Sequence, residues 1–405
     1  MRERVAGGRR SWISLARMAR MACFLLAGLV IRSQPSQSQD LETTTAQRIA
    51  SERWWPTMST APLEAFSGTP SCTRCHVAES SSEPPSSMSQ AALRASDNRF
   101  LHDASSMTLP SQKSASFEPF TYALSPGANA VQYSVSRGDE KLSQTIDWVM
   151  GAGDLGQTFV YQRDDHWYQS RMSLYGKEPE VDLTTGLRSD PNADLISALG
   201  KVLNPEEVRH CFSCHTVHAT TSRGFNPLHA EAGVGCEACH GPGLAHVKKS
   251  TDAAGAPVKA IDERVFNPAR LSPADSIDLC GACHRTSADV TSSANNANDA
   301  SVVRFQPYRL EMSRCWLETR SAKVTCTACH DPHEALNHNI ASYDRHCVEC
   351  HSAPDTAEPH VGKSCPKAKS QCVGCHMPKV AVPSMHGEFT DHFIRVVKTS
   401  AEFIP

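Results

Sequence analysis

The chain of 405 residues contains no run of the about 20 consecutive apolar residues that an ordinary transmembrane helix needs. The one apolar run that stands out, residues 21–31, is too short to span a bilayer and is preceded by Arg2, Arg4, Arg9, Arg10, Arg17 and Arg20. A small polar stretch follows it, so residues 1–39 read as an export signal that carries Cys23 away with it. Arg9 and Arg10 faintly suggest the twin-arginine route, but general secretion suits the pattern better. Excess positive charge is also missing. Residues 1–39 hold seven Arg and one Glu, so their removal takes the formal charge from -3 to -9. A surface of that sign excludes nucleic acid as a partner and favours basic or neutral ones through long-range steering.

Long periodic segments are scarce from about residue 204 onward, and no βαβ pattern occurs anywhere. That region cannot build an ordinary aliphatic core, so something else must fill its interior. Residues 40–66 and 79–90 are rich in Ser, Thr and Pro and read as linker or irregular chain. Residues 117–175 differ: Val131, Tyr133 and Val135 alternate, and turn signals at Arg137-Gly138-Asp139 and Arg163-Asp164-Asp165 predict a small antiparallel meander. The expected organisation is a signal over 1–39, a linker over 40–66, a first cofactor-bearing segment over 67–115, a β-rich insert over 116–203 and a main domain over 204–405.

What the chain has in abundance is Cys, 17 of them, and His, 19 of them. Fourteen of the Cys fall in seven copies of Cys-x-x-Cys-His. The copies are Cys72/Cys75/His76, Cys211/Cys214/His215, Cys236/Cys239/His240, Cys280/Cys283/His284, Cys326/Cys329/His330, Cys347/Cys350/His351 and Cys372/Cys375/His376. This is the attachment signature of c-type haem. One turn of chain sets two sulfurs against the vinyl-derived carbons at one haem edge, and the next residue aims its imidazole at the iron. Zinc ribbons pair two Cys-x-x-Cys elements per ion, which leaves one of seven copies without a partner and all seven following histidines unexplained. Thioredoxin-like pairs need the missing βαβ context. The expected cofactor is therefore seven haem c. Cys315 and Cys365 remain, either as a disulfide or as buried free thiols.

Twelve His lie outside the motifs, enough for a second axial ligand at every iron. His218 and His333 each follow a proximal His by three residues. A helix turn that offers its first imidazole to one iron cannot wrap to the far face of that haem, so the second must serve a neighbour. His246, beyond the turn at Gly241-Pro242-Gly243, is assigned to a different haem on the same ground. His102, His229, His386 and His392 complete the candidate distal set. Met88 is an alternative sixth ligand for an early haem. His210 and His346, next to motif cysteines, suit hydrogen bonds to a propionate or backbone, and His166, His338 and His360 are left without a role.

At Cys236-Glu-Ala-Cys239-His240-Gly-Pro-Gly-Leu-Ala-His246, Cys326-Thr-Ala-Cys329-His330-Asp-Pro-His333 and Cys372-Val-Gly-Cys375-His376-Met-Pro-Lys, the sequence resembles multihaem cytochromes related to the tetrahaem cytochrome of ammonia oxidisers. That superfamily includes pentahaem nitrite reductase and octahaem hydroxylamine oxidoreductase. The segment from Trp148-Val-Met-Gly-Ala-Gly through Gly156-Gln-Thr-Phe-Val-Tyr161 to Cys211 looks like the β-containing insert of environmental-bacterial members. The resemblance implies a mainly α multihaem cytochrome c fold with extensive irregular chain, a haem-filled core and stacked haem pairs. No Cys-x-x-Cys-Lys and no match to the tyrosine cross-link of hydroxylamine oxidoreductase occur, which weakens both enzymatic assignments. The leading expectation is a periplasmic or extracellular heptahaem electron carrier. Its partners would be redox proteins such as a quinol-oxidising membrane complex or another cytochrome. The alternatives are a reductase or oxidase of a small nitrogen or sulfur oxyanion with one open haem, and a polymerising extracellular cytochrome.

Overall fold

A computed structural model describes residues 61–397, apart from 82–85, 99–100, 102–107, 110–118, 127–129, 152–155, 177–179, 222–223, 253–264, 293–298 and 352–363. The described residues belong to one compact unit, Thr44–Pro405; the expected signal and Cys23 lie outside them. Among the described residues no helix is long and apolar enough to cross a membrane.

The alternation around Val131 becomes part of two antiparallel sheets. One has the strand order β2 (Thr108–Leu109), β3 (Thr121–Pro126), β4 (Val131–Arg137) and β5 (Glu140–Thr145). The other runs β1 (Ala92–Arg94), β6 (Trp148–Met150), β7 (Gln157–Arg163), β8 (His166–Tyr175) and β10 (Gly200–Leu203), with β9 (Glu180–Leu183) also paired to β8. Successive residues of a strand face opposite sides, and the larger sheet uses both. Val149, Phe159, Tyr161, Met172 and Leu174 pack against Tyr122, Leu124, Val131, Tyr133 and Val135 of the smaller sheet. Trp148, Met150 and Val160, one residue out of phase, pack instead against Leu203, Val208 and Phe212.

Phe212 lies between Cys211 and Cys214, so the larger sheet rests directly on the second motif. Its ring meets Trp148 at 5.2 Å, Trp167 at 5.6 Å and Phe225 at 5.7 Å, in edge-to-face arrangements.

These sheets overturn the expectation of a mainly α chain with a small β insert. Ten strands form two sheets of six and four, and three two-stranded ribbons follow among the described residues, including Lys379–Val382 with Gly387–Thr390. Helix and sheet therefore share the fold. The physical reason lies in two places. Short strands such as β2, β9 and β10, which carry little alternation of their own, are recruited by longer neighbours, and β1 by the equally short β6. Most motif-bearing helices meanwhile amount to little more than one turn. β1 and β2 precede residue 116, so the sheets also take in chain assigned to the first cofactor-bearing segment.

Candidate haem site

Seven helices carry the seven motifs: α1 (Thr69–Thr73), α2 (Pro205–His215), α3 (Cys236–His240), α4 (Pro273–His284), α5 (Cys326–Cys329), α6 (Asp344–His351) and α7 (Cys372–His376). The two long ones are firmly started. Asn204 accepts from the N–H groups of Glu206 and Glu207 while Glu207 accepts from the Asn204 N–H, with Pro205 in the first turn. Ser272 caps α4 through the Asp275 N–H, again ahead of a proline. In the short helices the motif itself closes the turn. The N–H of His76 donates to Cys72 O at 3.0 Å, and that of His330 to Cys326 O at 2.9 Å. Gly241, in left-handed backbone at φ 74°, ends α3 and turns the chain toward His246.

All fourteen motif cysteines and all seven motif histidines line one continuous cavity of about 5090 Å³. Shared among seven motifs this is about 730 Å³ each, within the roughly 300–1,000 Å³ of a small-molecule site. Helices from different motifs touch along it: α1 packs on α3, α4 on both α2 and α5, and α6 on α7. Thiols of different motifs meet as well, Cys72 with Cys236, Cys214 with Cys283, Cys280 with Cys326 and Cys347 with Cys372.

Hydrogen bonds to backbone carbonyls orient four imidazoles along the wall. Nδ1 of His215 donates to Ala91 O at 2.7 Å, that of His240 to Phe266 O at 2.9 Å, that of His376 to Arg395 O at 2.8 Å and that of His392 to Thr390 O at 3.0 Å. A carbonyl only accepts, so each of these rings carries its proton on Nδ1 and leaves the Nε2 lone pair for a metal. Burial holds His215, His284 and His330 below the ordinary imidazole value and brings His392 down to about 4. His246 Nδ1 is buried with no hydrogen-bond partner. This donor set fits haem iron, and the cysteine pairs beside it fit thioether attachment. When bound, haem would supply one-electron chemistry at its iron.

Three pairs of rings oppose one another across the cavity: His76 and His246 with centroids 6.4 Å apart and 33° between planes, His240 and His333 at 6.3 Å and 9°, and His330 and His392 at 6.2 Å and 44°. In each pair one member is a motif His and the other comes from elsewhere in the chain. His333 faces His240 of the third motif rather than His330 of its own.

Other expected distal ligands sit elsewhere. His218 is buried but off the cavity wall, its ring tilted against Phe66 with centroids 4.3 Å apart and its Nε2 3.4 Å from Glu237. His229 is exposed at the end of a 3-10 turn. His386 pairs with Asp182 at 2.8 Å and stacks on Tyr175 at 4.4 Å, tying the C-terminal ribbon to the sheets. His102 lies outside the described residues. Met88 does line the cavity, as do His210, His338 and His346.

Two buried carboxylates went unnoticed in the sequence. Glu237, inside the third motif, accepts from the N–H groups of Ser67 at 2.9 Å, Gly68 at 2.8 Å and Gly243 at 2.6 Å. Those bonds, with His218, outweigh burial and hold its carboxyl below the usual range. Asp391, next to His392, is fully buried and takes a two-pronged bond from Arg309 at 2.8 and 2.9 Å and another from Arg395 at 2.7 Å. A charged residue within a motif was a signal for Glu237; nothing in the sequence marked Asp391.

The family model described as cytochrome c554 and c-prime matches residues 175–241, a stretch that includes the second and third motifs. Multiheme cytochrome MtrA of Shewanella baltica is 23% identical over 193 residues, which cover 44% of this chain. The match spans about half of that relative, 54% of its length. Both findings support a multihaem c-type cytochrome. No solved structure matches the chain. The similarity names the cofactor class, haem c, and leaves its number to the motifs.

Proposed function

We propose that this chain is an exported heptahaem cytochrome that passes electrons between redox proteins. The observation that carries the reading is the three facing pairs of imidazoles. An iron held on both faces by imidazole keeps the ring centroids about 6 Å apart, from two metal–nitrogen bonds of about 2 Å and about 1 Å more to each ring centre. The separations of 6.4, 6.3 and 6.2 Å fit that span. His246 would complete the iron of the first motif, His333 that of the third and His392 that of the fifth. Imidazoles placed in this way would hold a haem iron with no position open to substrate, which suits electron exchange rather than catalysis.

The paired helices and thiols support a connected array, since haem edges attached at adjoining cysteines must themselves adjoin. Export to the periplasm or beyond follows from residues 1–39. Suitable partners are a quinol-oxidising membrane complex or another cytochrome, both able to present a redox centre to a haem near the surface. Intact mass and pyridine haemochrome assay should give seven haems per chain, and electron paramagnetic resonance of the ferric protein should show low-spin centres. A dominant high-spin signal that shifts on adding nitrite or sulfite would replace electron carriage with catalysis at an open iron.

A further inference from the structure

Between the second and fourth motifs the cavity wall carries two arginines, Arg285 and Arg304. Arg285 follows His284 in left-handed backbone at φ 67°, and its guanidinium donates to Nε2 of His210, the residue before Cys211. Arg304 closes the 3-10 turn Ala300–Arg304 with its guanidinium 5.0 Å over the Phe305 ring, and its Nε is buried with no hydrogen-bond partner. All three side chains line the cavity, as do Cys211, His215, Cys283 and His284.

Glu206 and Glu207 share a small pocket with Arg285 and His210, and Asp289 and Asp299 are near enough to be felt. Asp289 accepts from the Thr286 N–H and hydroxyl at 2.9 and 3.0 Å, and Asp299 caps the turn through the Ser301 N–H at 2.8 Å. No ion pair joins Arg285 or Arg304 to a carboxylate among the described residues. Burial and the charge of Arg285 together hold His210 down at about 4, so it is neutral and accepts rather than adding a third charge. Burying a guanidinium without an anion is costly, and its planar fork is shaped to receive a carboxylate.

We propose that Arg285 and Arg304 form a carboxylate-binding site that receives propionates of the haems attached at the second and fourth motifs. This deepens the reading above and rests on it. The two cations hold those propionates in the wall of the cavity. Their charge stabilises ferrous over ferric iron, which sets these haems at higher potential than they would have beside neutral side chains.

The test uses the full-length holoprotein carrying Arg304→Gln, Arg304→Lys or Arg285→Gln, each checked for haem count by mass and then titrated potentiometrically with optical detection. With all seven haems retained, one or two of the seven titrating centres should move to more negative potential in Arg304→Gln and in Arg285→Gln. Arg304→Lys, which keeps the charge, should stay close to wild type. Titrations that superimpose on wild type at full haem content would overturn the site. Nitrite or sulfite that perturbs the wild-type Soret band but not that of Arg304→Gln, with potentials unchanged, would overturn it in favour of a free oxyanion. Wild-type protein with fewer than seven haems would sink the parent reading and this site with it, a result separable by mass alone.

Discussion

Replacing Glu237 with Ala should unfasten the first motif from the third. The carboxylate accepts three backbone N–H groups, two of them from Ser67 and Gly68 at the start of the first motif's segment and one from Gly243. Ala leaves all three donors behind. An orphaned buried donor costs about 1–3 kcal/mol, so three give roughly 3–9 kcal/mol. Water can reach the Ser67 and Gly68 groups, which are only partly buried, so the lower end, about 3–5 kcal/mol, is expected. That is a large share of a typical stability of about 5–15 kcal/mol. Thermal unfolding of the holoprotein followed by far-ultraviolet circular dichroism should fall by on the order of 10 °C. Limited proteolysis should begin near residues 61–75. A change below about 1 kcal/mol, with that segment still protected, would refute the view of Glu237 as a fastener.

The same carboxylate sets a pH dependence. Its pKa lies below the ordinary value of 4.5 because hydrogen bonds outweigh burial, so its contribution is complete above that value and is lost as pH falls through the depressed one. Glu237→Gln should flatten the stability curve on the acid side of pH 5, and a curve parallel to wild type would count against this. His333→Gln should convert the iron of the third motif to high spin while its own fifth motif stays low-spin, which resonance spectra combined with His392→Gln can assign. Arg309→Met should cost about 3–5 kcal/mol by leaving Asp391 buried with one partner fewer, measured by denaturant unfolding. Phe212→Ala should cost about 3–5 kcal/mol through the cavity it opens among Trp148, Trp167 and Phe225, with the second motif's haem still attached by mass.

The motifs were plain in the sequence because thioether attachment is local chemistry: two sulfurs and an imidazole must fall within one turn. The facing rings were only partly legible. Covalent spacing excluded His333 from its own haem but could not say that it meets His240, because ring pairs are set by tertiary packing. His218 shares the His-x-x-His spacing of His333, yet a buried Glu237 lies within its reach and the ring turns there instead. The sheets were half visible. Val131, Tyr133 and Val135 announced a core-facing strand, while β1 and β10 gain their conformation from the neighbours they pair with. The pair Arg309 and Asp391, 82 residues apart, had no local pattern to betray it.

In each facing pair the second histidine comes later in the chain than the first: His246 after His76 by 170 residues, His333 after His240 by 93, and His392 after His330 by 62. A haem stitched to its cysteines as the polypeptide is made would therefore wait with one side bare until downstream chain arrives. On the proposed ligation, maturation would acquire a direction, with downstream residues sealing irons installed before them. On the same proposal, a protein cut short after residue 391 would keep every attachment point and yet leave the fifth iron uncapped.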